Sequence, residues 1–166
     1  MIQLLLKKLL KFLGQSGSLK KIESSDSSTF NLAIKGKKML HSLAISIMKN
    51  AYVPYSNFRV GVAIKSANNK FYSGCNVENA AYPQGVCAEA GAISSMVAGG
   101  CSLISEVLVV SEGDQLIVPC GGCRQKILEF SDSNTQILLA TTIKIERNLS
   151  IDELLPFSFD KTFLNV

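Results

Sequence analysis

The sequence predicts a layered α/β domain. Two observations carry that prediction. From residue 38 onward, stretches of helical apolar spacing alternate with short strand-like runs. The chain has 166 residues, 47% of them hydrophobic, which suits one domain with a proper core.

The elements follow in order. Residues 38–51 place Met39, Leu40, Leu43, Ile47 and Met48 at helical spacing, and Pro54 in "AYVPYSN" stops that helix. "FRVGVAIKS" (58–66) and "KFYSGC" (70–75) read as two strands joined through Ala67, Asn68 and Asn69 as a hairpin. "NVENAAYPQGV" is a loop. "CAEAGAISSMVAG" (87–99) is a helix ending at Gly99 and Gly100. "SEVLVVS" (105–111) is a third strand, "CGGCRQKILEFS" (120–131) another helix and "TQILLAT" (135–141) a fourth strand. "KIERNL" adds a candidate fifth. "SIDELL" (150–155) is a short helix with Ser150 as N-cap and Glu153 completing a capping box.

The first 38 residues differ in kind. They hold eight Lys against Glu23 and Asp26, a local +6, which leaves −2 on the remaining 128. "MIQLLLKKLLKFL" (1–13) is a short basic amphipathic pattern of the sort that lies on membrane surfaces or targets a chain. "SLKKIESSDSSTF" reads as a polar linker. The favoured division is an extension over 1–38, outside the fold, and a domain over 39–166 with Met39 as its functional start. The mildly acidic body argues against a groove that tracks phosphates, so nucleic acid is not an expected partner. No run of 18 apolar residues is present, so no membrane span is expected.

Five cysteines, at 75, 87, 101, 120 and 123, cannot all pair, and a chain of this length needs no staples. A reduced, cytoplasmic protein with a metal or catalytic use for sulfur is the expectation. Cys87 opens one helix; Cys120 and Cys123 lie on one face of the first turn of the next. Helix N-termini favour thiolate over thiol. If both helices start at the same edge of the sheet, three thiolates converge. His41, Cys75 and Cys101 have no suitable position for a fourth ligand. Three protein ligands and water is the catalytic zinc pattern. Glu89, two residues after Cys87, can enter the same pocket as a proton shuttle. The order Cys87-Ala88-Glu89, then 29 residues, then Pro119-Cys120-Gly121-Gly122-Cys123 is the three-cysteine form of the zinc deaminase signature.

Residues 39–160 resemble the small cytidine deaminases that act on free nucleosides, through "GCNVENAAY" (74–82), "CAE", "PCGGCRQ" and "LLPFSF" (154–159). The resemblance implies a three-layer α/β/α sandwich around a five-stranded mixed sheet. It implies zinc on Cys87, Cys120 and Cys123, with Glu89 as acid and base. It also implies that Asn76 and Glu78 hold the ribose hydroxyl, that Phe58 packs on the base, and that the Ala88 N–H meets the base carbonyl. Tyr82 and Phe159 match positions that reach a neighbouring subunit's site in a homotetramer. The reaction implied is hydrolysis of cytidine and 2′-deoxycytidine to the uridines and ammonia in pyrimidine salvage, by attack of zinc-bound hydroxide on C4. One departure is visible: many relatives carry Arg directly after Cys-Ala-Glu, where Ala90 stands here. A deaminase of blasticidin S or another aminopyrimidine would share zinc and Glu89. A non-catalytic zinc-stabilised module would instead require a fourth protein ligand.

Overall fold

The computed structural model describes residues 19–164. The amphipathic pattern of residues 1–13 lies outside the described residues. The chain divides into two units between Lys37 and Lys38. The first helix, α1, runs Leu19–Met48 and continues through both.

That length corrects the sequence reading, which placed a linker before residue 38. Ser and Asp compete with the backbone for hydrogen bonds, which made residues 24–28 look like a linker. No proline interrupts them, however, and adding residues to an existing helix costs far less than starting one. The helix also stops three residues earlier than expected. Asn50 N–H donates to Ile47 O at 3.0 Å and Ala51 N–H to Met48 O at 3.1 Å, so the turn is closed before Pro54.

Five strands follow in a single mixed sheet: β1 (Val60–Ser66), β2 (Phe71–Cys75), β3 (Ile104–Ser111), β4 (Gln136–Ala140) and β5 (Ile145–Leu149), in the order β2-β1-β3-β4-β5. Only β3 and β4 run parallel. The β1–β2 hairpin turns where the sequence placed it, with Asn69 at φ 60, a left-handed value that Asn tolerates. The strand expected from Phe58 begins instead at Val60. Asn57, at φ 53, turns the chain away first. The remaining helices are α2 (Ala88–Ala98), α3 (Gly121–Glu129) and α4 (Ile151–Leu154). The Ser150–Glu153 capping box forms as expected, with Glu153 N–H donating to Ser150 Oγ at 3.2 Å and Ser150 N–H to Glu153 Oε2 at 2.7 Å.

Side-chain alternation separates two cores. Leu40, Ala44 and Met48 of α1 pack on Ala63, Leu108, Val110, Leu138 and Ala140. The opposite sheet face, with Val62, Ile64, Val107, Val109, Ile137 and Leu139, buries Ala92, Ile93 and Met96 of α2, Ile127 of α3 and Ile151 and Leu154 of α4. This is the three-layer α/β/α arrangement, with the cysteine-bearing helices on one side.

Two glycines set how closely the layers approach. A Cβ on Gly61 would stand 2.7 Å from Met48 Cβ, against α1. A Cβ on Gly74 would stand 2.6 Å from Ala88 O, in the first turn of α2. Gly74 thus fixes the height at which α2 begins. Gly74→Ala is expected to cost about 1–3 kcal/mol by overpacking against backbone. Urea unfolding of the variant checks this, and a stability equal to the native chain's would contradict the close approach.

Candidate active site

The site assembles where α2 and α3 begin. Cys87 is the N-cap of α2 and Cys120 the N-cap of α3, both extended, at φ −69, ψ 153 and φ −63, ψ 164. Cys123 lies one turn into α3. The three sulfurs all lie within 4.8 Å of one another. Zinc–sulfur bonds of ~2.3 Å in a tetrahedron separate sulfurs by roughly 3.8 Å, so the donor set fits zinc with small adjustment. Cys123 is buried at its base, whereas Cys87 and Cys120 are exposed, so the cluster has one wet side.

Glu89, in the first turn of α2, is 5% exposed, and Cys123 Sγ donates to its Oε2 at 3.2 Å. It touches the cluster without belonging to the set of converging donors. Among the described residues no fourth ligand joins that set. His41 faces elsewhere, with Nε2 2.7 Å from Thr141 O. Cys75 and Cys101 stay apart, half-buried.

The electrostatics support the same fit. Burial pushes the Cys123 thiol well above the ordinary thiol range, and the Glu89 carboxylate adds to the rise. Burial raises Cys87 as well. Cys120 is lowered, first by the backbone N–H of Cys123, although its sulfur makes no full capping hydrogen bond. Thiolates gathered this closely repel one another, and a divalent cation offsets that repulsion.

The loops beside the cluster are tied to it through Val77. Val77 and Val86 exchange N–H···O bonds, both 2.9 Å, directly before Cys87. Tyr52 N–H donates to Asn76 O at 3.1 Å and Glu78 N–H to Tyr52 O at 2.8 Å. The Asn76 side chain completes the bridge: Oδ1 accepts from Val60 N–H at 2.8 Å and Nδ2 donates to Phe58 O at 2.9 Å. Glu78 Oε2 accepts from the N–H groups of Tyr55 at 3.0 Å and Ser56 at 3.2 Å. The Ser56 hydroxyl and these N–H groups hold the Glu78 carboxyl below its usual range. Tyr55, Ser56, Glu78, Asn79, Tyr82 and Gly85 line an open cleft of about 380 Å³. Tyr82 meets Tyr55 edge to face, with ring centroids 6.1 Å apart. Ala88 is buried as the first residue of α2, where backbone N–H groups have no intrahelical acceptor.

Phe159 stands apart from the cleft, with its ring stacked on Phe163 at 5.3 Å. Two further residues of the "PCGGCRQ" motif are anchors. Arg124 donates from Nε to Pro119 O at 2.8 Å and from its NH1 amine to Leu154 O at 3.1 Å. Gln125 Nε2 donates to Phe159 O at 2.8 Å. Ala90, where many relatives carry Arg, lines a groove of about 500 Å³ between α2 and α3 whose basic lining residue is Lys126.

The family model for the cytidine and deoxycytidylate deaminase zinc-binding region matches residues 35–139. The cytidine deaminase of Mycoplasma genitalium is 42% identical over 117 residues, covering 70% of this chain and 89% of that protein. That of Halalkalibacterium halodurans is 33% identical over 129 residues, covering 78% and 98%. Among solved structures, the cytidine deaminase of Burkholderia pseudomallei superposes with a TM-score of 0.69 at 37% identity, covering 74% of this chain and 98% of that one. The enzyme from Mycobacterium tuberculosis does so at 0.66 and 32%, covering 74% and 96%. The matched span takes in Cys87, Glu89, Cys120 and Cys123 together, and the chain belongs to the cytidine and deoxycytidylate deaminase family.

Proposed function

We propose that this chain is a zinc-dependent hydrolase that converts cytidine and 2′-deoxycytidine to the uridines and ammonia, in pyrimidine salvage. The observation that carries this reading is the sulfur trio with a wet side and a buried carboxylate against it. Cys87, Cys120 and Cys123 hold zinc. Zinc held there would supply Lewis acidity, lowering the pKa of water toward neutrality.

Glu89 moves the protons. Oxygen adds to C4 of the ring while Glu89 takes the proton released from water and delivers it to N3. The C4–N4 bond then breaks as Glu89 passes the second water proton to the departing amine. Water thus supplies the new carbonyl oxygen and both protons. The Ala88 N–H orients the base carbonyl, and the half-exposed Phe58 ring packs on the base. Glu78 has Oε1 left to accept from a ribose hydroxyl, and Asn76 keeps one Nδ2 hydrogen for the same sugar. These sugar-facing groups favour a nucleoside over another aminopyrimidine.

Tyr82 is 77% exposed and Phe159 58% exposed in the single chain. Both suit a homotetramer in which neighbouring subunits complete one another's sites. The compartment proposed is the cytoplasm, where unpaired thiols stay reduced. Among the described residues no helix is long and apolar enough to cross a membrane. The catalytic domain is taken as residues 39–166, with 1–38 as an extension.

Three outcomes are expected. Glu89→Gln keeps its zinc and loses turnover by about 10²–10⁴-fold, read by ultraviolet loss of cytidine beside metal analysis; near-native turnover would remove Glu89 from the chemistry. Cys87→Ala loses both metal and activity, and a full zinc content would contradict its role as a ligand. A chain starting at Met39 retains kcat/KM within about twofold, since it keeps Leu40, Ala44 and Met48 on the sheet; a large drop would make the extension part of the enzyme.

A further inference from the structure

Cys120 stands at the end of an irregular stretch. β3 ends at Ser111 and α3 begins at Gly121, so no strand or helix carries the chain up to this sulfur. Leu116 and Ile117 pack on the core, but Val118 is then 52% exposed and Cys120 itself is exposed. The next residue confines it no better: a Cβ built on Gly121 would meet nothing within 4 Å. As an N-cap, Cys120 makes no side-chain cap bond. Local structure alone does not place this sulfur.

Arg124 supplies the missing constraint. Its Nε donates to Pro119 O at 2.8 Å and its backbone N–H to Cys120 O at 3.0 Å, so one residue holds two consecutive carbonyls. Among the described residues, the other hydrogen bond to residues 113–119 is a 3.5 Å one from the Ser111 hydroxyl to Gln115 O, well short of the cysteine. The guanidinium is fixed on its far side as well, where Nη1 donates to Leu154 O at 3.1 Å. Leu154 is 2% exposed and ends α4, where a helix leaves carbonyls without intrahelical donors. A planar fork meets two carbonyls at fixed angles, which a lysine ammonium on a flexible stem does not.

We propose that Arg124 is a positioning residue for the metal centre: anchored on Leu154 O, it fixes the backbone at Pro119 and Cys120 and so presents the Cys120 sulfur to zinc in advance. The ligand is then ordered on folding and not on binding. α4, whose Leu154 lies 30 residues downstream, strengthens metal binding through this one carbonyl. The proposal rests on the reading of Cys87, Cys120 and Cys123 as zinc ligands.

The test uses the full-length chain. Zinc affinity is measured by competition with a chromophoric chelator, and the cobalt(II)-loaded protein is read by its thiolate-to-metal charge-transfer absorption. Arg124→Gln keeps one donor group and loses the charge; Arg124→Lys keeps the charge and loses the fork. Both are expected to bind zinc about 10–100-fold more weakly, the scale of a lost partner behind a metal ligand, and to show reduced charge-transfer absorption. Arg59→Gln, which removes the surface pair with Glu112, should leave both readouts native. If the Gln variant fails to fold, the Lys variant decides by the same two readouts.

Native zinc affinity in both Arg124 variants overturns the role of Arg124 while leaving the zinc reading intact. Native affinity in the Lys variant alone reduces the effect to charge and overturns the two-carbonyl clamp. A role confined to stability would lower the urea midpoints of the zinc-free and zinc-loaded chains alike at unchanged affinity, and that result also overturns the proposal. Equal weakening in Arg59→Gln does the same. A native chain that binds no zinc overturns the zinc reading and this proposal together.

Discussion

Two helix starts must meet within a few ångströms of each other, and most of the fold serves that meeting. Cys87 and Cys120 are both N-caps, so neither sulfur has freedom beyond its own side chain once α2 and α3 are docked. Docking height is fixed by the missing Cβ of Gly74 under α2, and lateral spacing by the parallel pairing of β3 with β4. Ile127 and Leu154 bury α3 and α4 against the same sheet face as Ala92 and Met96 of α2. The other layer is α1, on the opposite sheet face. Its packing of Leu40, Ala44 and Met48 shields the far side of the sheet, so that the strands can be apolar on both faces.

Gathering negative charge at this point is expensive without a cation, and the local structure divides that cost unequally. Cys120, at the exposed first turn of α3, has a backbone N–H to favour its thiolate; Cys123, buried beneath it beside Glu89, has desolvation and repulsion against it. The buried sulfur is thus the most dependent on metal. Glu89 is enclosed at the same depth and not gathered among the donors, as the proposed proton carrier must be. Arg124 spends its charge on the carbonyls of Pro119 and Leu154, holding the loop that leads into Cys120.

Much of this was legible along the chain because it is local. Alternating periodicity marked the strands, Ser150 and Glu153 marked the last helix, and Cys-x-Glu followed by Pro-Cys-x-x-Cys marked the cluster. What escaped reading depends on partners distant in sequence. Strand β1 begins at Val60 and not at Phe58 because Asn57 turns the backbone and the amide of Asn76, sixteen positions away, takes over the pairing there. The anchoring by Arg124 and Gln125 was not legible because their acceptors, Leu154 O and Phe159 O, lie about thirty residues downstream. The stretch before residue 38 read as a linker because serines and an aspartate resemble one, although in the structure they continue a helix.

The Asn76 amide has a consequence of its own. Its oxygen faces a backbone donor and its nitrogen a backbone acceptor, so exchanging the two ends would turn two attractions into two repulsions. The orientation is therefore unique, and the direction of the hydrogen left over is set by the fold alone. A group locked in advance loses almost no rotamer entropy on binding. The splice that starts a strand thus holds in advance the donor that the proposed sugar contact would use, so stiffness in the sheet would become economy in recognition.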